Sequence, residues 1–124
     1  MKSAKAESAK NDLANGYNCS QSIIRQYCEE LNIPEELAVK VASGFGGGMR
    51  RGHTCGVISG SIMVLGLKFG AGNPDPETKE KLYKMVRSFT DDFMAVHNST
   101  CCKELLGIDT GTDEGRNTAS KLGM

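Results

Sequence analysis

Three groups of cysteines stand where helices should begin. Asn18-Cys19, Thr54-Cys55 and Ser99-Thr100-Cys101-Cys102 each place a capping residue at or near a sulfur. A helix N-terminus presents unpaired backbone N–H groups and partial positive charge, which favour a thiolate over a thiol. Sulfur so placed can act as a nucleophile or as a metal ligand. A terminus is worth about 0.3–1 kcal/mol to an anion, up to about 2 when partly buried, so it lowers a thiol from about 8.5 to about 7 at best. Further lowering needs a cation; Arg50, Arg51 and His53 precede Cys55, and Lys103 follows Cys102.

The segment before Cys55 is the least ordinary in composition. Residues 44–52 contain five glycines, which disfavour a helix by about 1 kcal/mol each and allow positive φ or close backbone approach. Gly46, Gly47 and Gly48 with Arg50 and Arg51 are therefore candidate cofactor or anion contacts. Residues 47–54 nearly spell a phosphate loop, but His53 stands where lysine is required and the preceding residues read as a helix rather than a strand. Nucleotide hydrolysis is excluded on both counts.

The elements that must position these residues read as an all-α bundle of one domain over residues 1–124. A first helix covers residues 3–15 and stops at Gly16. A second opens at Asn18 with Gln21 as its capping-box partner, and its apolar stripe is Ile23, Ile24, Tyr27, Cys28 and Leu31. Cys28 thus falls on an inward face, where cysteine behaves as a small hydrophobe. Pro34 is expected in the first turn of a third helix that buries Leu37, Ala38, Val41 and Ala42 and ends at Gly44.

Residues 55–69 are apolar or small on every face, which predicts the central helix of the bundle, with Gly56 and Gly60 admitting a neighbouring backbone. Asp75 as N-cap and Pro76 behind it open a strongly amphipathic helix with the stripe Leu82, Met85, Val86, Phe89, Phe93 and Val96, expected to cover the central one. A weak last helix is expected over residues 113–122.

The chain balances 15 basic against 15 acidic residues, so no basic field points to nucleic acid. No stretch reads as a secretory signal or a membrane span, which places the chain in the cytoplasm. Five cysteines, an odd number in a reducing compartment, argue against a disulfide framework and for redox or metal chemistry.

The ordered motifs Asn18-Cys19-Ser20-Gln21, Gly44-Phe45-Gly46-Gly47-Gly48-Met49, Cys55-Gly56-Val57-Ile58-Ser59-Gly60 and Cys102-Lys103-Glu104-Leu105-Leu106-Gly107 resemble the C_GCAxxG_C_C family. That family is named for its cysteine pattern and regarded as redox-active. The resemblance implies Cys19, Cys55 and Cys102 as the family cysteines. Val57 departs from the usual Ala, and Ile108 stands where members often carry another Cys.

The leading expectation is thiol–disulfide chemistry or electron transfer, with Cys55 attacking and Cys19 or Cys102 resolving, and Cys101 in reserve. The alternative is a metal or iron–sulfur protein, holding zinc, iron or a cluster through Cys19, Cys55 and Cys102 with His53 or His97. A plain helical adaptor whose cysteines only pack is the third reading. The absence of Cys-x-x-Cys weakens a thioredoxin-like site and a zinc ribbon alike. The partner is left open between an unknown redox protein and a second copy of the chain.

Overall fold

Asn18 and Gln21 fix where the second helix starts and also where the chain returns to meet it. In the computed structural model, which describes residues 4–101 and residue 105, helix α1 (Ala4–Ala14) leads through Gly16 into α2 (Cys19–Arg25). The capping box is complete. Asn18 Oδ1 accepts from the Gln21 N–H at 2.8 Å, and Gln21 Oε1 accepts from the Asn18 N–H at 3.0 Å. The spare amide protons of both side chains then serve α4 (Glu35–Val41): Asn18 Nδ2 donates to the carbonyls of Ala42 and Ser43, and Gln21 Nε2 to that of Val39. One helix start and one helix end satisfy each other's orphan groups.

The expected continuous stripe of the second helix is real, but the helix is not continuous. It breaks at Gln26 and Tyr27 and resumes as α3 (Cys28–Leu31), which ends on Asn32 in the left-handed region. Pro34 is the N-cap of α4 rather than a first-turn residue, with an extended ψ of 126°. Ala38 and Ala42 are buried as expected, whereas Leu37 and Val41 are exposed: the face of α4 turned to the core is the narrow alanine edge.

The core joins Ile24, Cys28, Ala38, Ala42 and Val64, with Ile23, Tyr27, Leu31, Ile33 and Met63 packed on it. Charged groups fasten its rim. Arg25 pairs with Asp12 of α1 and, at 2.8 Å, with Glu35 of α4. Burial opposes the Arg25 charge, but its hydrogen bonds to Glu35 and Asp12 outweigh that and hold the guanidinium above its ordinary value. Lys5 donates to the Gln26 carbonyl at the end of α2 and lies 4.5 Å over the Tyr27 ring.

Helix α5 (Gly56–Phe69) is the central helix, packed on α2 along one side and on α6 (Pro76–His97) along another. Its crossing with α2 is unusually close. A Cβ on Gly56 would lie 2.7 Å from Cys19 Cβ and 3.0 Å from Ser20 N, and one on Gly60 would lie 2.9 Å from the Ser20 carbonyl oxygen. Ser20, wholly buried, fills the notch and donates to the Gly56 carbonyl at 2.9 Å, with Ser59 Oγ at 2.7 Å. The far end of α5 is less enclosed than its composition predicts, since Leu67 and Phe69 are exposed. Helix α6 opens on Asp75 and Pro76 as expected, yet none of its residues is buried. No helix among the described residues is long and apolar enough to cross a membrane. The expected helix over residues 113–122 lies outside the described residues.

Two substitutions test this crossing. Gly60→Ala gains up to about 1 kcal/mol of helix propensity but overpacks a rigid backbone, which costs about 1–3, so a net loss of stability is expected in urea unfolding. Asn18→Ala removes a cap and leaves three carbonyl or N–H partners unmatched; a loss of about 1–2 kcal/mol is expected by the same measurement.

Candidate functional site

The glycine-rich segment forms a tight turn of unusual hand. Residues 47–50 follow one another in the left-handed region, with φ of 63° at Gly47 and Gly48, 59° at Met49 and 60° at Arg50. Glycine takes this conformation without penalty, while Met49 and Arg50 each carry about 1–2 kcal/mol of strain. The turn, a π-type loop over Gly48–Gly52, closes when the His53 N–H donates to the Gly48 carbonyl at 3.1 Å. Gly46 is buried against α2: a Cβ there would lie 2.6 Å from Asn18 Cβ. The turn is thus seated on the very residue that caps α2.

From this turn the chain passes through Thr54 into α5. Thr54 was the expected cap of that helix, but it instead forms an isolated antiparallel bridge with Cys101. Cys55 is itself the N-cap, with φ −56° and ψ 139°, and its carbonyl accepts from the N–H groups of Ile58 and Ser59. The Cys55 N–H donates to the Thr100 carbonyl at 2.7 Å, so the returning chain is tied across the start of α5. Ser99, buried after the left-handed Asn98 that ends α6, accepts from the Cys101 N–H at 3.0 Å and shapes this return.

Three of the sequence candidates therefore meet at one end of the bundle. Cys19 is the first residue of α2 and touches Gly56, the residue after Cys55; Cys101 is paired by backbone with Thr54, the residue before it. All three are partly exposed. Arg50, Arg51 and His53 stand exposed on the turn leading into Cys55. His97, exposed at the last position of α6, lies tilted against Phe93 with ring centroids 4.4 Å apart. Cys102 and Lys103 lie outside the described residues.

Cys28 belongs elsewhere. It sits in the core with its Sγ 3.3 Å from the Ile24 carbonyl, to which it donates. Burial pushes its thiol above the ordinary value, the Glu35 charge adds to this, and Arg25 partly offsets it. Among the described residues no three His, Cys, Asp or Glu side chains form a group that could hold a metal ion. With Cys102 undescribed, the expected set Cys19, Cys55, Cys102 and His53 is represented by three members that do not converge as ligands.

Two contributors are not apparent from residue type alone. Ser20 sets the spacing between the two cysteine-bearing helix starts through the Gly56 carbonyl. Its signal in the sequence is a small hydroxyl beside Cys19, matched to Gly56 and Gly60 one turn apart. The Thr54 bridge to Cys101 left no local signal.

An all-helical domain with cysteines gathered at the starts of packed helices, beside a glycine turn, defines a class of small cysteine protein. Residues 17–122 match the C_GCAxxG_C_C family, described as "Putative redox-active protein", and the chain belongs to that family. No curated protein and no solved structure matches it.

The contrast between Cys28 and the cluster has a measurable consequence. The folded Cys28 thiol holds its proton to higher pH than the unfolded one, so the native state binds more protons above about pH 8.5, where the unfolded thiol ionises. Its contribution to stability is intact below that pH and declines above it. Urea unfolding from pH 7 to 10 should show a fall in wild-type stability that Cys28→Ala reduces, and Cys28 should resist alkylation until the protein unfolds.

Proposed function

We propose that this protein carries out thiol–disulfide exchange, with Cys55 as the attacking thiolate and Cys19 as the resolving thiol. The observation that carries the reading is the contact of Cys19 with Gly56, which sets the first residue of one helix against the N-cap of the next. A disulfide needs Cα atoms about 4.4–6.8 Å apart, and helices touching through glycine are suited to that separation. The start of α5 favours the Cys55 thiolate, and Arg50 and Arg51 on the adjoining turn supply positive charge toward an approaching partner.

In the forward direction the Cys55 thiolate attacks one sulfur of a partner disulfide. That S–S bond breaks, and the other partner sulfur leaves as a thiolate and takes up a proton. Cys19, having lost its proton, then attacks Cys55 Sγ and releases the second partner sulfur. Two electrons pass to the partner, and the protein is left with a Cys19–Cys55 disulfide. A dithiol partner reverses the sequence and restores both thiols. Cys101, and Cys102 beside it in sequence, stand in reserve as alternative resolving thiols.

Trapping separates the roles. Reduced Cys19→Ser protein exposed to oxidised glutathione should carry a glutathione adduct on Cys55 that persists far longer than in the wild type by mass spectrometry, while the wild type should pass quickly to an intramolecular disulfide. Cys55→Ser should lose the fast phase of both reactions. Wild-type protein that forms no disulfide involving Cys55 at any glutathione ratio would overturn the mechanism, and a Cys19→Ser variant that resolves as fast as wild type would remove Cys19 from it.

A further inference from the structure

We infer that the disulfide exchanged at Cys55 is an anionic one, bearing carboxylates within a few bonds of its sulfurs, and that Arg50 and Arg51 select it. The inference rests on the thiol–disulfide reading above and names the class of its substrate. The whole chain balances 15 basic against 15 acidic residues, so any local field comes from how the acids are distributed. Between Glu36 and Asp75 there is none, and that stretch holds Lys40, Arg50, Arg51, His53 and Lys68. Folding concentrates the imbalance at one end of the bundle. The segments that meet there, residues 17–21, 43–56 and 98–101, contain Arg50, Arg51 and His53 and no Asp or Glu.

The acids that flank these segments in the described chain are neutralised or set back. Asp12 is buried and paired with Arg25, and Glu36 pairs with Lys40 at 3.2 Å. Glu29 and Asp75 follow only after the full length of α2 and of α5, and Asp92 lies more than a turn before the end of α6. Arg50 and Arg51 are exposed, and neither is in an ion pair among the described residues. Their turn is fixed at one flank by Gly46 against Asn18, the residue before Cys19, and at the other by the Thr54 bridge. Arg51 is four residues before Cys55, at most about 14 Å of extended chain. That reach is comparable to the Debye length of about 10 Å at 0.1 M salt, so the two charges act on a carboxylate carried to Cys55. Such a disulfide is concentrated at the thiolate by the field, and a cationic one is repelled. The leaving sulfur, which departs as a thiolate before it takes up a proton, develops its charge in the same field.

The rate at which reduced protein loses its Cys55 thiol, read by quenched alkylation and mass spectrometry, tests this with three reagents: glutathione disulfide, neutral hydroxyethyl disulfide and cationic cystamine. Dividing each rate by that of a neutral cysteine amide with the same reagent cancels differences in leaving group. The normalised rate with glutathione disulfide should exceed that with cystamine at least about fivefold at 0.1 M salt, and the ratio should fall by about half or more at 1 M. Arg50→Gln combined with Arg51→Gln should bring the ratio to within about twofold of unity and leave the hydroxyethyl disulfide rate as it is. Lys79→Gln with Lys84→Gln removes as much charge about 20 Å or more along α6 from its last residue, and should leave the ratio unchanged. A disulfide-linked acidic peptide run beside glutathione disulfide tells a protein segment from a small molecule as the source, and either one outpacing cystamine supports the inference. A wild-type ratio near unity, or one that the arginine changes leave untouched, overturns the substrate class while exchange itself stands. A Cys55 thiol that none of the three reagents consumes overturns the exchange reading and this inference with it.

Discussion

The fit of Ser20 into the notch between Gly56 and Gly60 is the constraint on which the other features depend. Two helix starts cannot come within a Cβ of one another unless one side gives up its side chains, and α5 does so at both positions facing α2. Ser20 completes the contact by donating to the Gly56 carbonyl, and it is small enough to be wholly buried there. The polar crossing is satisfied internally, so its burial carries little desolvation penalty. Cys19, Cys55 and Thr54 all lie within two residues of this notch.

Strain at the glycine turn follows from the same geometry. The chain must leave α4, whose end is held by Asn18 through the Ala42 and Ser43 carbonyls, and reach Cys55 beside Cys19 over residues 42–54. A left-handed run over residues 47–50 achieves the reversal, with glycine at two of the four positions and Met49 and Arg50 accepting the strained ones. Strain in such places persists when the surroundings over-determine it, and here both flanks are fixed, by Gly46 against Asn18 and by the Thr54 bridge. The exposed Arg50 and Arg51 are thereby presented on the turn that leads into Cys55.

The molecule also divides its hydrophobic resources unevenly. Its core relies on small residues, Ala38, Ala42 and Cys28 among them, and many of its large side chains remain outside. This suits a fold whose central crossing is built for closeness rather than for volume. Among the described residues, Leu37 and Val41 on the edge of α4 and Met85, Met94 and Val96 on α6 keep exposed apolar surface.

Local rules written in the sequence were enough for the starts of α2 and α6 and for the fold class. The Asn18 and Gln21 capping box, the Asp75-Pro76 start and the inward Cys28 all depend on residues within four positions of each other, where short-range hydrogen bonding and periodicity decide the outcome. The small residues at 56 and 60 announced that a backbone would approach, though not which one. Tertiary structure alone decided that Ser20 fills that gap, that Thr54 bridges to Cys101 instead of capping α5, that α4 turns its alanines inward, and that the stripe of α6 is only half-buried. These outcomes depend on pairings between residues far apart in the chain, set by which surfaces meet most closely; a periodic stripe states that a face is apolar, and only the packed chain determines what lies against it.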